Sequence, residues 1–212
     1  ILIRLLSSTN EGVKSGAALI LGNLVSDKDV KYRDIVLQAG ALPALIQAAE
    51  NKICDRIVFA ISKLCHGKPF PDFNVIRPAL PLLRSCLDSE KEKAVIYTCW
   101  ALRCIAQRST DCVDAILEHN IMPTFIELLG GCTSSGIVKE VIIVLGQIAS
   151  HGEICAQAIL VALPSLLRLL DHPDKEIRCE VCFTLSQLTE GTKEEIQAVI
   201  DAIFPKLIEL LK

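Results

Sequence analysis

The apolar positions of this chain follow a helical period almost throughout, and the pattern they make repeats. In residues 90–107, EKEKAVIYTCWALRCIAQ, Val95, Cys99, Leu102 and Ala106 fall on one face, and Ile96, Trp100, Cys104 and Gln107 form a stripe on another. A helix that is apolar on two sides belongs to an inner layer. Versions of this segment recur at 16–27, 57–67, 141–152 and 181–191. A second signal repeats with it: two apolar residues and a proline, at Pro43, Pro81, Pro123, Pro164 and Pro205, spaced 38 to 42 residues apart. Proline in the first turn of a helix gives up an N–H that has no partner there, so each of these prolines predicts a helix start.

Shorter amphipathic stretches at 32–38, 111–118, 153–161 and 194–201 precede the proline helices, and polar turns such as Ser7-Ser8-Thr9-Asn10 and Asp171-His172-Pro173-Asp174 lead into the long ones. The unit is three helices in about 41 residues, a period that belongs to helical solenoids. No unit can bury two apolar faces alone, so neighbours are expected to stack into a right-handed superhelix with the long helices along one side. The expected organisation is a single domain, 1–212: a partial repeat 1–28, repeats 29–67, 68–108, 109–151 and 152–191, and a partial repeat 192–212. The apolar ends predict further repeats on both sides. Residues 67–78, GKPFPDFNVIRP, carry three prolines where other repeats have a short helix, and predict an extended connection up to Pro78.

Composition narrows the function classes. The net charge of -3 provides no dominant basic face, which argues against nucleic acid as a partner. Despite a mean hydropathy of +0.43, no apolar run reaches the ~20 residues of a membrane span, so the chain reads as soluble with no membrane partner. The ten cysteines are dispersed through apolar helical positions such as Cys65, Cys86, Cys99 and Cys182, a pattern of small core residues in a reducing compartment. Cys179 and Cys182 form a lone Cys-x-x-Cys without a second pair, and the four histidines share no ligand spacing, so no metal and no cofactor are expected. No nucleophile–base pairing, phosphate loop or paired carboxylates appear, and a catalytic role is set aside.

Residues 59–83, FAISKLCHGKPFPDFNVIRPALPLL, resemble the fourth-repeat region of the importin alpha family, where the pattern W-x-x-x-N-x-C-R-G-K-P-x-P is followed by P-A-L-P. Residues 191–211 are similar to a later repeat of that family, and IVLQAGALPALI and YTCWALRCIA stand in register with it, so the likeness runs over essentially the whole chain. The resemblance implies an all-α, right-handed armadillo-repeat solenoid of three-helix repeats. It also implies an adaptor in cytoplasm and nucleus that carries proteins bearing basic nuclear-localisation peptides, together with importin beta bound through an N-terminal segment not present here.

The resemblance further implies two ladders on the long helices. The first is Leu19, Phe59, Trp100, Ile143 and Phe183, where the family mostly has tryptophan, whose faces hold lysine stems and attract the ammonium. The second is Asn23, Lys63, Cys104, Gln147 and Gln187, where the family mostly has asparagine, able to donate to and accept from a peptide backbone. Asp27 matches a family acid that pairs with a lysine. Only Trp100 and Asn23 keep the family residue, and Lys63 places a positive charge where a basic ligand would lie. The groove is therefore degenerate, with weak, altered or relocated cargo binding expected, and if a basic-peptide site survives it is expected in the second half, with Glu140, Gln147, Glu180, Phe183, Ser186 and Gln187. On the residues alone, Leu19, Phe59, Ile143 and Phe183 fit core packing better, and Asn23 with Asp27 fits a helix cap. A scaffold that binds proteins without serving import stays open beside the adaptor; salt-sensitive binding of a lysine-rich peptide separates the two.

Overall fold

The computed structural model describes residues 1–26, 30–50, 52–190 and 193–210, and every regular element among them is helical. The chain divides into two compact units, Ile1–Arg108 and Ser109–Lys212.

In the first unit, three long helices, α2 (Glu11–Leu24), α5 (Asp55–Cys65) and α8 (Glu92–Ala106), stack in chain order, α2 on α5 and α5 on α8. Shorter helices support them: α1 (Leu2–Leu5), α3 (Val30–Gln38), α4 (Ala41–Ala49), α6 (Phe73–Ile76), a 3-10 turn at Arg77–Ala79, and α7 (Leu80–Leu87). The core is aliphatic. Ala17, Ala18 and Leu21 of α2, Val58, Ile61 and Leu64 of α5, and Val95, Cys99, Leu102 and Ala106 of α8 are all buried, so the first face read for the 90–107 segment is the packed one. The side chain of Asn10 caps α2 by accepting from the N–H groups of Gly12 and Val13, whereas α8 begins at Lys91 without a side-chain cap.

Arg33, 2% exposed, joins α3 to the end of α5. Its guanidinium donates to the carbonyls of His66 (2.9 Å) and Gly67 (3.0 Å) and pairs with Asp34 at 2.7 Å. Arg108 donates to the Cys65 carbonyl at 3.3 Å and to that of Pro71, and lies over the Phe70 ring. Two arginines thus satisfy the carbonyls that the end of α5 leaves without helical partners, where the helix dipole favours positive charge.

In the second unit, α11 (Ser135–Ala149) packs on α14 (Lys175–Leu188). Around them lie α9 (Thr110–Leu117), α10 (Ile121–Gly131), α12 (Glu153–Leu160), α13 (Leu163–Leu169) and α15 (Lys193–Leu210). Ser134 and Asp174 cap the two long helices through their side chains. Thr184 Oγ1 donates to the Ile142 carbonyl across the buried α11–α14 contact at 3.2 Å.

Three expectations are corrected. Pro43, Pro81, Pro123 and Pro164 lie in the first turn of their helices, but Pro205 lies deep inside α15. Left-handed residues at Gly40 and Asn120 break the chain before two of the earlier proline helices, whereas Ala79 and Ala162, before the other two, are right-handed. Residues 201–205, DAIFP, contain no such residue, and the helix runs on through the proline. The connection at 67–78 is irregular only to Asp72, whose carboxylate accepts from the Asn74 N–H and starts a helical turn at Phe73. Cys182, read as a core residue, is exposed, as is Cys179, while Cys65, Cys86, Cys99, Cys104, Cys112 and Cys155 are buried.

Candidate functional site: the ladders of the long helices

A residue can bind a threaded peptide only if it reaches solvent from a rigid support. Leu19, Phe59, Trp100, Ile143, Gln147 and Gln187 are half-buried, Asn23 is exposed, and Phe183 is 60% exposed. The first ladder is therefore not sealed in the core. Cys104 differs: it is 4% exposed, and burial pushes its thiol up despite the opposing fields of Arg103, Arg108 and Lys63. The second ladder accordingly has no solvent-facing amide at that step. Asp27 lies outside the described residues.

In the first unit the ladder is an aromatic cluster. The Phe59 and Tyr97 rings lie 5.2 Å apart between centroids, as do Tyr97 and Trp100, the latter edge to face. Tyr97 went unnoticed in the sequence, although its place three residues before Trp100 puts it on the same helical stripe. Phe59 can pack closely against α2 because Gly22 has no side chain there. Lys63 Nζ stands 5.4 Å from the Phe59 centroid and 5.6 Å from that of Trp100.

In the second unit the same positions have another chemistry. Glu140, Ile143 and Gln147 follow one another along α11, and Glu180, Phe183 and Gln187 follow at the same spacing along α14, so each helix carries acid, apolar group and amide one turn apart. Lys139 pairs with Glu176 at 2.5 Å, and its ammonium is held above its ordinary range by that hydrogen bond first, then by Glu176, Glu180 and Glu140 as charges. Gln147 Nε2 donates to Ser150 Oγ at 3.2 Å, and Ser186 Oγ donates to the Phe183 carbonyl at 2.7 Å, which keeps the Ser186 hydroxyl proton on its own helix. Among the described residues, no group of three His, Cys, Asp or Glu side chains is placed to hold a metal, and no helix is long and apolar enough to cross a membrane.

Over 209 residues, 95% of its length, the chain is 36% identical to importin subunit alpha-1a of Oryza sativa subsp. japonica, and over 190 residues it is 37% identical to importin subunit alpha-3 of Arabidopsis thaliana. The chain belongs to the importin alpha family. It spans 39% and 35% of those two relatives' lengths. A model of the HEAT repeat matches residues 162–192, which begin at α13 and take in α14. Among solved structures, a designed armadillo repeat protein in complex with the peptide (KR)4 matches 99% of the chain with a TM-score of 0.86 at 23% identity, and an engineered protein matches all of it with a TM-score of 0.88 at 25% identity. The fold is that of an armadillo-repeat solenoid.

Proposed function

We propose that this chain is the peptide-binding part of a non-enzymatic adaptor that holds basic nuclear-localisation-type segments of cargo proteins, in cytoplasm and nucleus, in partnership with importin beta. The peptide lies across α11 and α14. The observation that carries this reading is Phe183, a large aromatic side chain 60% exposed, with Glu180 one turn before it and Gln187 one turn after. A lysine stem laid on that ring brings its ammonium towards Glu180 and Glu140, and the amides of Gln147 and Gln187 address the peptide backbone. Ile143 gives the stem an apolar neighbour without a π face. Glu140 and Glu180, standing beside the stripe, supply the local attraction for a cationic side chain.

Fluorescence anisotropy of a labelled monopartite and a labelled bipartite basic peptide tests the proposal. Binding is expected to weaken as salt rises and to fall between about 2-fold and about 30-fold in Phe183→Ala, the range of one cation–π contact. Equal binding by the parent, Phe183→Ala and Glu180→Gln would remove the site from α14.

A further inference from the structure

In the first unit, the ladder step that offers ring faces to a ligand already holds a cation of the chain's own. Lys63 Nζ lies 5.4 Å from the Phe59 centroid, one turn earlier on α5, and 5.6 Å from the Trp100 centroid on α8. Both separations are within the ~6 Å over which an ammonium is attracted to a ring face. Tyr97 stands between the two rings, 5.2 Å from each, so the three side chains form one continuous aromatic wall.

We propose that Lys63 is a built-in occupant of the Phe59–Tyr97–Trp100 step, closing it to lysine and arginine side chains and making it an acceptor for a peptide carboxylate. An incoming ammonium would have to share the same ring faces with a like charge. An incoming carboxylate meets an ammonium held in place by two rings and, among the described residues, paired with no acid. Along α5 and α8 the surroundings have the same sign. Asp55 and Glu92, the sole acids on α5 and α8, stand in the first turns of those helices, about 12 Å of helix rise before Lys63 and Trp100. Arg56 precedes Phe59 by one turn, and Arg103 lies one residue before Cys104. Desolvation first, then the fields of Lys63, Arg103 and Arg33, hold the His66 imidazole below its ordinary range. On α11 and α14 the matching stripe carries Glu140 and Glu180 with glutamines, so the two units select opposite charges at equivalent positions.

The inference rests on the peptide-ladder reading only in that a chain passes over α5 and α8. Trp100 is the one tryptophan of the chain, so its emission reports this step alone. The 212-residue chain, its Lys63→Met variant and its Lys63→Gln variant are titrated at low salt with octalysine and, separately, with octaglutamate. In the parent, Trp100 is expected to respond to octaglutamate and not to octalysine. In both variants the preference reverses, and octalysine read at Trp100 tightens between about 2-fold and about 30-fold. An octaglutamate response that survives loss of Lys63, an octalysine response as strong in the parent as in the variants, or loss of both responses in both variants overturns the proposal. Anisotropy of labelled octalysine on Phe183→Ala reads the second unit separately, so failure there leaves the Trp100 result to stand or fall by itself.

Discussion

Gly22 of α2 lies directly beneath Phe59 of α5: a Cβ on Gly22 would come within 2.7 Å of the ring carbons Cδ1 and Cε1 and 3.2 Å from the Ala60 Cα. The close approach of these two helices, and with it the height of the Phe59 ring, therefore depends on a missing methyl group. The same relationship recurs in the second unit, where a Cβ on Gly146 would come 2.8 Å from Thr184 Oγ1. Each glycine immediately precedes a second-ladder residue, Asn23 or Gln147.

Gly22→Ala is expected to destabilise the chain, since overpacking of about 1–3 kcal/mol outweighs the helix-propensity gain of about 1 kcal/mol. Gly146→Ala should cost more, because moving Thr184 also breaks its buried hydrogen bond to the Ile142 carbonyl. Gly16, inside α2 with nothing within 4 Å of its would-be Cβ, is the control, and Gly16→Ala should stabilise by about 0.5–1 kcal/mol. Urea midpoints of the three variants check the order; a stabilising Gly22→Ala would refute the packing account.

Arg33→Ala should be among the most damaging single changes. It leaves the carbonyls of His66 and Gly67 without their donor in a place that water does not reach freely, and opens a cavity around a side chain that is 2% exposed. A loss of about 3–5 kcal/mol is expected. Chemical denaturation measures it, and Arg33→Lys should recover only part, because an ammonium cannot reproduce the spread donors of a guanidinium.

The cysteines should divide sharply by reactivity. Burial pushes the Cys65 thiol up to about 12 and the Cys86 thiol up to about 11, and six cysteines are buried, whereas Cys179 and Cys182 are exposed. Iodoacetamide at pH 8 followed by peptide mass mapping should label Cys179 and Cys182 first and leave Cys65 and Cys86 unmodified until the chain unfolds.

Those raised thiols also set a pH trend. Above the unfolded thiol value near 9, the unfolded chain releases protons that the folded chain retains, so stability falls as pH rises from about 9 towards about 11–12, by up to about 1.4 kcal/mol per pH unit for each such thiol. Below pH 9 these groups contribute no pH dependence. Urea unfolding at pH 8, 9 and 10 checks the direction, and Cys65→Ala should flatten the slope.

Capping gives a further test. Asp174→Ala removes the acceptor of the Glu176 N–H at 2.8 Å and should cost about 0.5–2 kcal/mol, with a smaller loss for Asp174→Asn, which keeps an acceptor oxygen. Thermal melts followed by circular dichroism distinguish the two.

The repeat, the three-helix unit and the order of helices were legible in the sequence because they rest on local properties: helical periodicity, prolines with no N–H to lose, and polar residues that cap the next helix. The family followed from short motifs around residues 59–83. Where local signals were matched by nothing nearby, the reading failed: Pro205 looked like the other entry prolines, but the helix that begins at Lys193 runs on through it. Cys182 shared the period of the buried cysteines, but among the described residues no further ladder helix packs on α14 to cover it.

At the ladders the sequence specified which residues share a stripe, since i and i+4 on one helix face the same way whatever the surroundings. It did not specify what lies beside that stripe. That Lys63 sits over both Phe59 and Trp100, that Tyr97 joins the two rings, that Phe183 is open while Cys104 is covered, and that Gly22 and Gly146 set how closely the helices approach were decided by the tertiary structure. The physical reason is that these relationships join groups about 40 residues apart, and their distances depend on how one helix docks against the next, which no single helix encodes.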